Sequence, residues 1–401
     1  MHPALYELNV NIKKYTQRNI NKNSGLHKFA LTMIKKATFI LPQYQHVQLI
    51  RNKEEIGVGS YNNYDDSLAT QHITVQSSKE IMSAITTSIA DTSINILPGT
   101  YKFSGNYLEF KAKGSKYAPI VLKANKLGDV IFEMDTYEGF LISSPYIVIE
   151  NIIFRGMKNK SDSQEHAIHL TKDADFIDIR HNEFINFNAH IKSNGIFTKD
   201  GVGHFPDNVV IQHNNFYNEW KRNTLSPASP IDVVGGKNWV IKNNFIADFG
   251  KYGRKCEGIT YGLFLKGASE NGIIENNLIA CEWNVPHTSP NDVRIGISLG
   301  NGGTGQKFCM DKTCSFEHKG GIIRNNTIIN CQNDVAIYIN KGKETKISAN
   351  YIANSLGIDV RYQASSAKIY DNLIDGRIKN TNGATIEIFN NNSIKDYLSY
   401  E

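Results

Sequence analysis

The sequence predicts an all-β chain, folded as a single right-handed parallel β-helix with an N-terminal capping helix. Three observations carry that expectation. A short apolar strand runs repeatedly into an asparagine and a second apolar pair, as IENIIF, IRHNEF, IQHNNF, IKNNFI, IENNLI, IRNNTI, ISANYI, IYDNLI and IFNNNSI. Aligned on Asn215, Asn244, Asn277, Asn326, Asn350 and Asn372, these units are separated by 29, 33, 49, 24 and 22 residues. A unit whose shortest copies span 22 to 24 residues, with insertions in the longer ones, is the pattern of a solenoid. The residues flanking each asparagine are β-branched or aromatic and lack a helical period, so the unit is built of strands. An ordinary apolar fraction of 40% together with 31 glycines suits turn-rich β structure.

Taken in chain order, residues 1–68 form a basic leader. Lys13, Lys14, Arg18, Lys22, Lys28, Lys35 and Lys36 accompany few acids. The run ATFIL after Lys36 resembles the start of an export signal, but its apolar core is short and no small-residue cleavage site follows. A flexible leader is therefore expected, on a chain that is secreted, periplasmic or held at the cell surface. Residues 69–401 form the β-helix domain. Within it, Ser77 and Glu80 form a capping box, and Ile81, Ile85 and Ile89 recur every four residues. This predicts a helix over 77–90, placed to cap the open end of the solenoid. Coils then run over 94–394, beginning with INILPGTY, YLEFKA, APIVLKA and VIFEM.

The asparagines themselves read as scaffold. Asn tolerates the left-handed turn between two strands, and stacked Asn side chains can form a hydrogen-bonded ladder. The uneven spacing is more informative. Excess length falls at 218–230, at 249–262 and in the long coil carrying VPHTSPNDV and GNGGTGQKFCMDKTCSFEHKG. Insertions in a solenoid project from the stack and wall a binding face. They bracket residues 195–365, where a cleft is expected.

Counting back from the asparagines puts one short strand per coil in register: GIFTKD, PIDVVGG, GLFLKG, GISLGNG, AIYINKG and GIDVRY. Lys266 and Arg361 each precede their asparagine by 11 residues, and Lys341 precedes its own by nine. Lys199 sits at a comparable strand end. Such a row of cations suits an acidic, uronate-containing polysaccharide. The net charge of +5 is compatible with an acidic ligand and far below that of a nucleic-acid binder. No run of 18 apolar residues exists to span a membrane.

Among the five cysteines, Cys309 and Cys314 are spaced to pair in one loop. Cys281 and Cys331 follow Asn277 and Asn326 closely and are expected to be stacked buried thiols. No spacing points to zinc.

The segment FLKGASENGIIENNLIAC, with SSKEIMSAI, ILPGTYKF, APIVLKA, LGDVIFE and IVIENIIFRG before it, resembles polysaccharide lyase family 6, the chondroitinase B and alginate lyase family of the pectate-lyase-like β-helices. The resemblance covers about residues 73–300. It implies β-elimination: a lysine takes the proton α to the uronate carboxyl, an arginine assists, and calcium offsets the carboxylate charge. Lys266 matches the lysine, with Lys251, Arg254 and Lys255 nearby to depress its pKa. The family's arginine position holds Leu299 and Gly300, so Arg361, Arg294 or Lys341 must replace it, with Tyr261 or Tyr338 as the acid. The family's acidic calcium ligands fall on Ile259 and Tyr261. Glu257 and Asp232 are the nearest carboxylates, so calcium is possible but unmatched. Lys199, Trp283 and Asn340 complete the candidate substrate contacts. Two further readings remain: a non-catalytic glycan-binding or surface β-helix, and an inverting glycoside hydrolase using Asp232, Asp334 or Asp359.

Overall fold

The computed structural model describes residues 49–51, 54–58, 64–157, 166–224, 228–252, 258–301 and 304–394. Three long parallel sheets, of 12, 11 and 10 strands, run the length of the molecule. Each coil adds one strand to each sheet, so the fold is a parallel β-helix. Ile, Val, Leu and Phe from alternate positions fill the interior as one continuous core. Phe154, Phe184 and Phe216 stack face to face at 4.8 and 4.9 Å.

The capping helix spans Ser78–Thr87. Its capping box is formed: the Ser77 hydroxyl accepts from the Glu80 amide, and the Glu80 carboxylate accepts from the Gln76 amide. Ile81, Ala84 and Ile85 are buried against the first coil. The helix stops at Ser88, which leaves Ile89 largely exposed rather than on the packed stripe.

The asparagine ladder corrects the alignment by one residue at one coil. Asn182, Asn214, Asn244, Asn277, Asn326, Asn350, Asn372 and Asn391 form an unbroken chain. Each backbone amide donates to the next side-chain carbonyl at 2.9–3.1 Å. Asn214, not Asn215, is the ladder member; Asn215 begins the following strand. The left-handed turn falls on the preceding residue, which is His181, His213, Asn243, Asn276, Asn325, Ala349, Asp371 or Asn390. Turn and ladder are therefore adjacent positions.

Part of the leader expected to be flexible is docked on the coils. The Gly57 amide donates to the Asn243 carbonyl, the Val58 amide to the Asn215 side chain, and the Tyr64 amide to Glu150. These contacts carry ordered packing across the boundary placed at residue 68. Residues 1–48, including the candidate export signal, lie outside the described residues.

Cys281 and Cys331 are joined in a disulfide, with Cα atoms 5.0 Å apart, and are not stacked thiols. The coils pair Ala280 with Ile329, so Cys281 and Cys331, one position out of register just beyond, fall within disulfide reach. Cys309 and Cys314 are also joined. Among the described residues no helix is long and apolar enough to cross a membrane.

Candidate functional site

The 10-stranded sheet carries the site. Its strands include His166–Thr171, Ala189–Asn194, Ile231–Val234, Thr260–Lys266, Arg294–Leu299, Ile337–Asn340, Gly357–Arg361 and Arg377–Thr381. Register pairs His169, Lys192, Asp232, Phe264, Ser298, Tyr338, Asp359 and Lys379 in one outward column. Two residues further along, Thr171, Asn194, Val234 and Lys266 form the start of a second column. Asn340, Arg361 and Thr381 close it. Lys266 and Arg361 thus share a register column, as the count from the asparagines predicted.

Loops rise at both ends of these strands. At the C-terminal end a hairpin, Ile196–Phe197 with Gly203–His204, meets the loop inserted after Leu299. Lys312 joins them, donating to the Gly201 carbonyl at 2.6 Å with its ammonium 4.8 Å from the Phe197 ring centre. The same insertion is fastened beside Lys266. Buried Glu317 accepts from the Gly267 amide at 2.9 Å, and the Met310 amide donates to the Gly267 carbonyl. At the N-terminal end, the 282–293 loop is anchored by buried Asp292, which pairs with Lys221 and Arg294, both at 2.7 Å.

Lys266 lies nearly buried between these walls, 8% exposed. Its ammonium is 3.0 Å from Asp232, and Lys192 approaches the other oxygen of the same carboxylate at 2.6 Å. Lys266 also sits over the Phe264 ring at 3.9 Å, and Tyr261 stacks on Phe264 at 4.1 Å. Burial holds the Lys266 pKa below its ordinary value; Asp232 opposes that effect and Lys192 adds to it. Burial would raise the Asp232 carboxyl, but the two ammonium groups together hold it well below the usual carboxylate range. Burial pushes the Tyr261 hydroxyl up, with Tyr338 adding to it, so Tyr261 stays protonated.

Further along the face, Arg361 donates to Asp359 at 2.8 Å and to the Tyr338 hydroxyl at 2.9 Å. Of the anticipated row of cations, Lys266 and Arg361 are therefore ion-paired. For Lys266 and Arg361 the reason is periodic: the residue two before each points to the same side of the sheet, and there it is Phe264 or Asp359. Asn340 stands next to Arg361 in the column and donates to the Asn301 carbonyl at 2.8 Å. Lys341 follows it at a left-handed turn, half-buried.

Several expected site residues lie elsewhere. GIFTKD is not the in-register strand; Ala189–Asn194 is, so Asn194 holds the position given to Lys199, and the cation of that strand, Lys192, stands two residues earlier in the other column. Lys199 is exposed at the hairpin turn, because the long connection to Asn214 displaces the count. Arg294 is fully buried. Its guanidinium is occupied by Asp292 and by the Cys281, Val285 and Pro286 carbonyls, so it braces the wall and does not reach the cleft. Trp283 packs edge-to-face on Phe245, a residue of the 11-stranded sheet and not of the site sheet. Lys251 begins a two-residue strand, Lys251–Tyr252, paired with Arg222–Asn223 at the wall. Arg254, Lys255 and Glu257 lie outside the described residues.

The calcium expectation fails on geometry. Ile259 is half exposed and apolar, Tyr261 is stacked on Phe264, and Asp232 already faces two ammonium groups. A cation beside Asp232 would meet the like charge of Lys192 and Lys266. Of the three hydrolase candidates, Asp334 and Asp359 lie near each other, and burial, with Asp359 adding to it, raises the Asp334 carboxyl, whereas Asp232 and Asp359 are too far apart to flank one bond. Four strand steps of about 4.8 Å separate them, about 19 Å against the roughly 9.5 Å limit for flanking carboxyls.

Sequence reasoning missed Lys192, Phe264 and a cluster one coil earlier. There His169 is hydrogen-bonded through Nδ1 to Glu138 and through Nε2 to Asn194, and His166 Nε2 is 3.9 Å from Glu138. Burial, with His169 beside it, pushes the His166 imidazole down to about 3 against the pull of Glu138, so it is neutral. The alternation in AHIKSN and HAIHLT was the available signal, since it puts polar residues on one face.

A model of the family described as Chondroitinase B matches residues 75–280, just over half the chain. Among solved structures, an alginate lyase from Paenibacillus sp. str. FPU-7 is 14% identical, covering 81% of this chain and 96% of that one, with a TM-score of 0.48. The PL6 family alginate lyase AlyGC is 15% identical, covering 79% and 40%, with a TM-score of 0.49. Pectate lyase Pel9A is 13% identical, covering 80% and 78%, with a TM-score of 0.41. At these scores the structural likenesses carry no argument about chemistry. No protein of curated function matches the chain.

Proposed function

The chain belongs to the chondroitinase B family, and from that premise we propose that it is a polysaccharide lyase-like enzyme that cleaves a uronate-containing polysaccharide by β-elimination, with Lys266 as the base. The observation that carries this reading is the buried Lys266 ammonium on the loop-walled face, with Lys192 beside it. A carbon acid α to a carboxylate is weak, so cations must stabilise the enolate-like charge as it develops. Lys192 is placed to take the substrate carboxylate, exchanging Asp232 for it. Burial and the neighbouring Lys192 charge hold the Lys266 pKa below its ordinary value against the pull of Asp232, the direction that the neutral amine of a base requires.

In the elimination, Lys266 takes the proton from C5 and that electron pair forms the C4–C5 double bond. The C4–O bond breaks, and the leaving oxygen takes a proton from the Tyr261 hydroxyl or from water. Tyr338, held by Arg361, is a second tyrosine hydroxyl on this face. No step is routed through calcium, because Asp232 already faces two ammonium groups.

A second reading has one observation in its favour. Asp232 is ion-paired with both Lys192 and Lys266, an arrangement that suits binding an acidic glycan without cleaving it. Incubation with alginate, polygalacturonate and glycosaminoglycans, followed by ultraviolet absorbance of unsaturated uronates, separates the two. Lys266→Ala is expected to lower the rate about 10²–10⁴-fold, the usual contribution of a general base. Absorbance that persists undiminished in that variant removes Lys266 from the mechanism. Binding without absorbance in the parent chain leaves the platform reading.

A further inference from the structure

We propose that Glu138, His166 and His169 form a binding site for a divalent first-row transition metal such as Zn2+. One ligand atom from each lies within 4.8 Å of the other two. The set is two imidazoles and one carboxylate, a donor combination suited to zinc or its neighbours. Glu138 stands in the turn before the strand Phe140–Ile142, and both histidines stand on the adjacent strand, His166–Thr171. None of the three is used in the elimination, and the proposal does not depend on that reaction.

The hydrogen bonds around His169 carry the argument. The Asn194 side chain directs Oδ1 at His169 Nε2 and donates through Nδ2 to the Gly195 carbonyl. Asn194 therefore presents an acceptor, and His169 Nε2 must carry the hydrogen. That leaves the Nδ1 lone pair of a neutral His169 facing the Glu138 carboxylate, two acceptors in contact. A cation between them resolves the conflict, as an outer hydrogen bond does when it fixes the tautomer of a metal-binding histidine. A single proton would also resolve it, but would not account for the third donor. His166 Nε2 points at the same Glu138 oxygen from 3.9 Å. A tetrahedral ion with ligands at about 2.0–2.1 Å spaces them by about 3.3 Å, so small side-chain rotations close the set. The nearby Lys192 charge is countered by Asp232 at 2.6 Å.

The test strips the full chain with chelator and titrates it with Co2+, following the visible ligand-field band and then its displacement by Zn2+. One Co2+ per chain is expected, displaced stoichiometrically. Glu138→Gln and His169→Ala are each expected to weaken binding by at least about 100-fold, the upper end for losing even an outer partner. No band in the parent chain overturns the proposal, as does unchanged affinity in the variants. If His169→Ala fails to fold, the partly exposed Glu138→Gln decides alone, with thermal unfolding as the control. Parent-like affinity in a folded Glu138→Gln chain refutes the site, and its loss supports it.

Discussion

Replacing Asp232 by Asn keeps the volume of the side chain and removes the one charge that Lys192 and Lys266 share. The ammonium groups lie 2.6 and 3.0 Å from that carboxylate, and Asp232 and Lys266 are almost fully buried. At an effective dielectric of about 20, charges 3 Å apart attract by roughly 5 kcal/mol. Loss of the carboxylate also relieves its own desolvation, so the net effect is smaller than the sum of two pairs. Breaking a buried pair costs about 3–5 kcal/mol, and that is the expected loss near neutral pH. The loss carries a pH signature. Burial already depresses Lys266, and without Asp232 only the smaller pull of Glu317 opposes it. A lysine whose folded pKa lies below its unfolded value destabilises the fold fully below the folded pKa. The penalty fades as pH rises toward the ordinary lysine value of about 10.4. Urea unfolding followed by tryptophan fluorescence should therefore show a large gap between parent and variant at pH 7, narrowing at pH 10. A gap within about 0.5 kcal/mol at pH 7, the range of an ordinary surface change, would refute the claim that these charges are buried and coupled.

Three further outcomes follow from the same structure. Asn244→Ala strips a fully buried side chain whose amide donates to the Ile211, Lys242 and Asn277 oxygens and whose carbonyl accepts from Asn214. A loss of roughly 3 kcal/mol or more is expected, at about 1–3 per stranded group; Asn391→Ala, at the partly exposed end of the ladder, should cost much less by the same denaturation. Mild reduction should lower the unfolding temperature mainly through Cys281–Cys331, because its 50-residue separation constrains the unfolded chain by about 4 kcal/mol against about 2 for the five-residue Cys309–Cys314 loop; paired Cys→Ser variants separate the two. The Asp311 carboxyl, which burial would raise, is brought down to about 2 by donors from Thr313, Cys314 and Ser315. That loop's stabilisation should be full above about pH 4 and lost as pH falls through 2, seen as faster amide exchange at Thr313 and Cys314.

The β-helix was legible because its cause is local and repeated. Each coil must bury alternate residues and turn at a fixed place, so IKNNFI and IENNLI announce themselves. The alignment slipped at Asn215 because NN offers two candidates, and only the stacked hydrogen bonds distinguish Asn214. The site was legible where coils have similar lengths, which is why Lys266 and Arg361 were matched correctly. Where an insertion intervenes the count fails, and Lys199 was set at a register position that Asn194 holds. Arg294 looked available only because its buried partners, Asp292 and three carbonyls, come from an irregular loop with no periodic trace.

The sequence by itself determined the solenoid, its capping helix, the long-loop side and the shared register of Lys266 and Arg361. All four follow from spacing along the chain. Only the tertiary structure decided that Asp232 lies between two lysines, that Cys281 meets Cys331, and that Glu138, His166 and His169 converge. Those contacts join residues from neighbouring coils, which can be 30 to 50 positions apart. Coil length varies with each insertion, so which side chains stack at about 4.8 Å is set by register and not by distance along the chain.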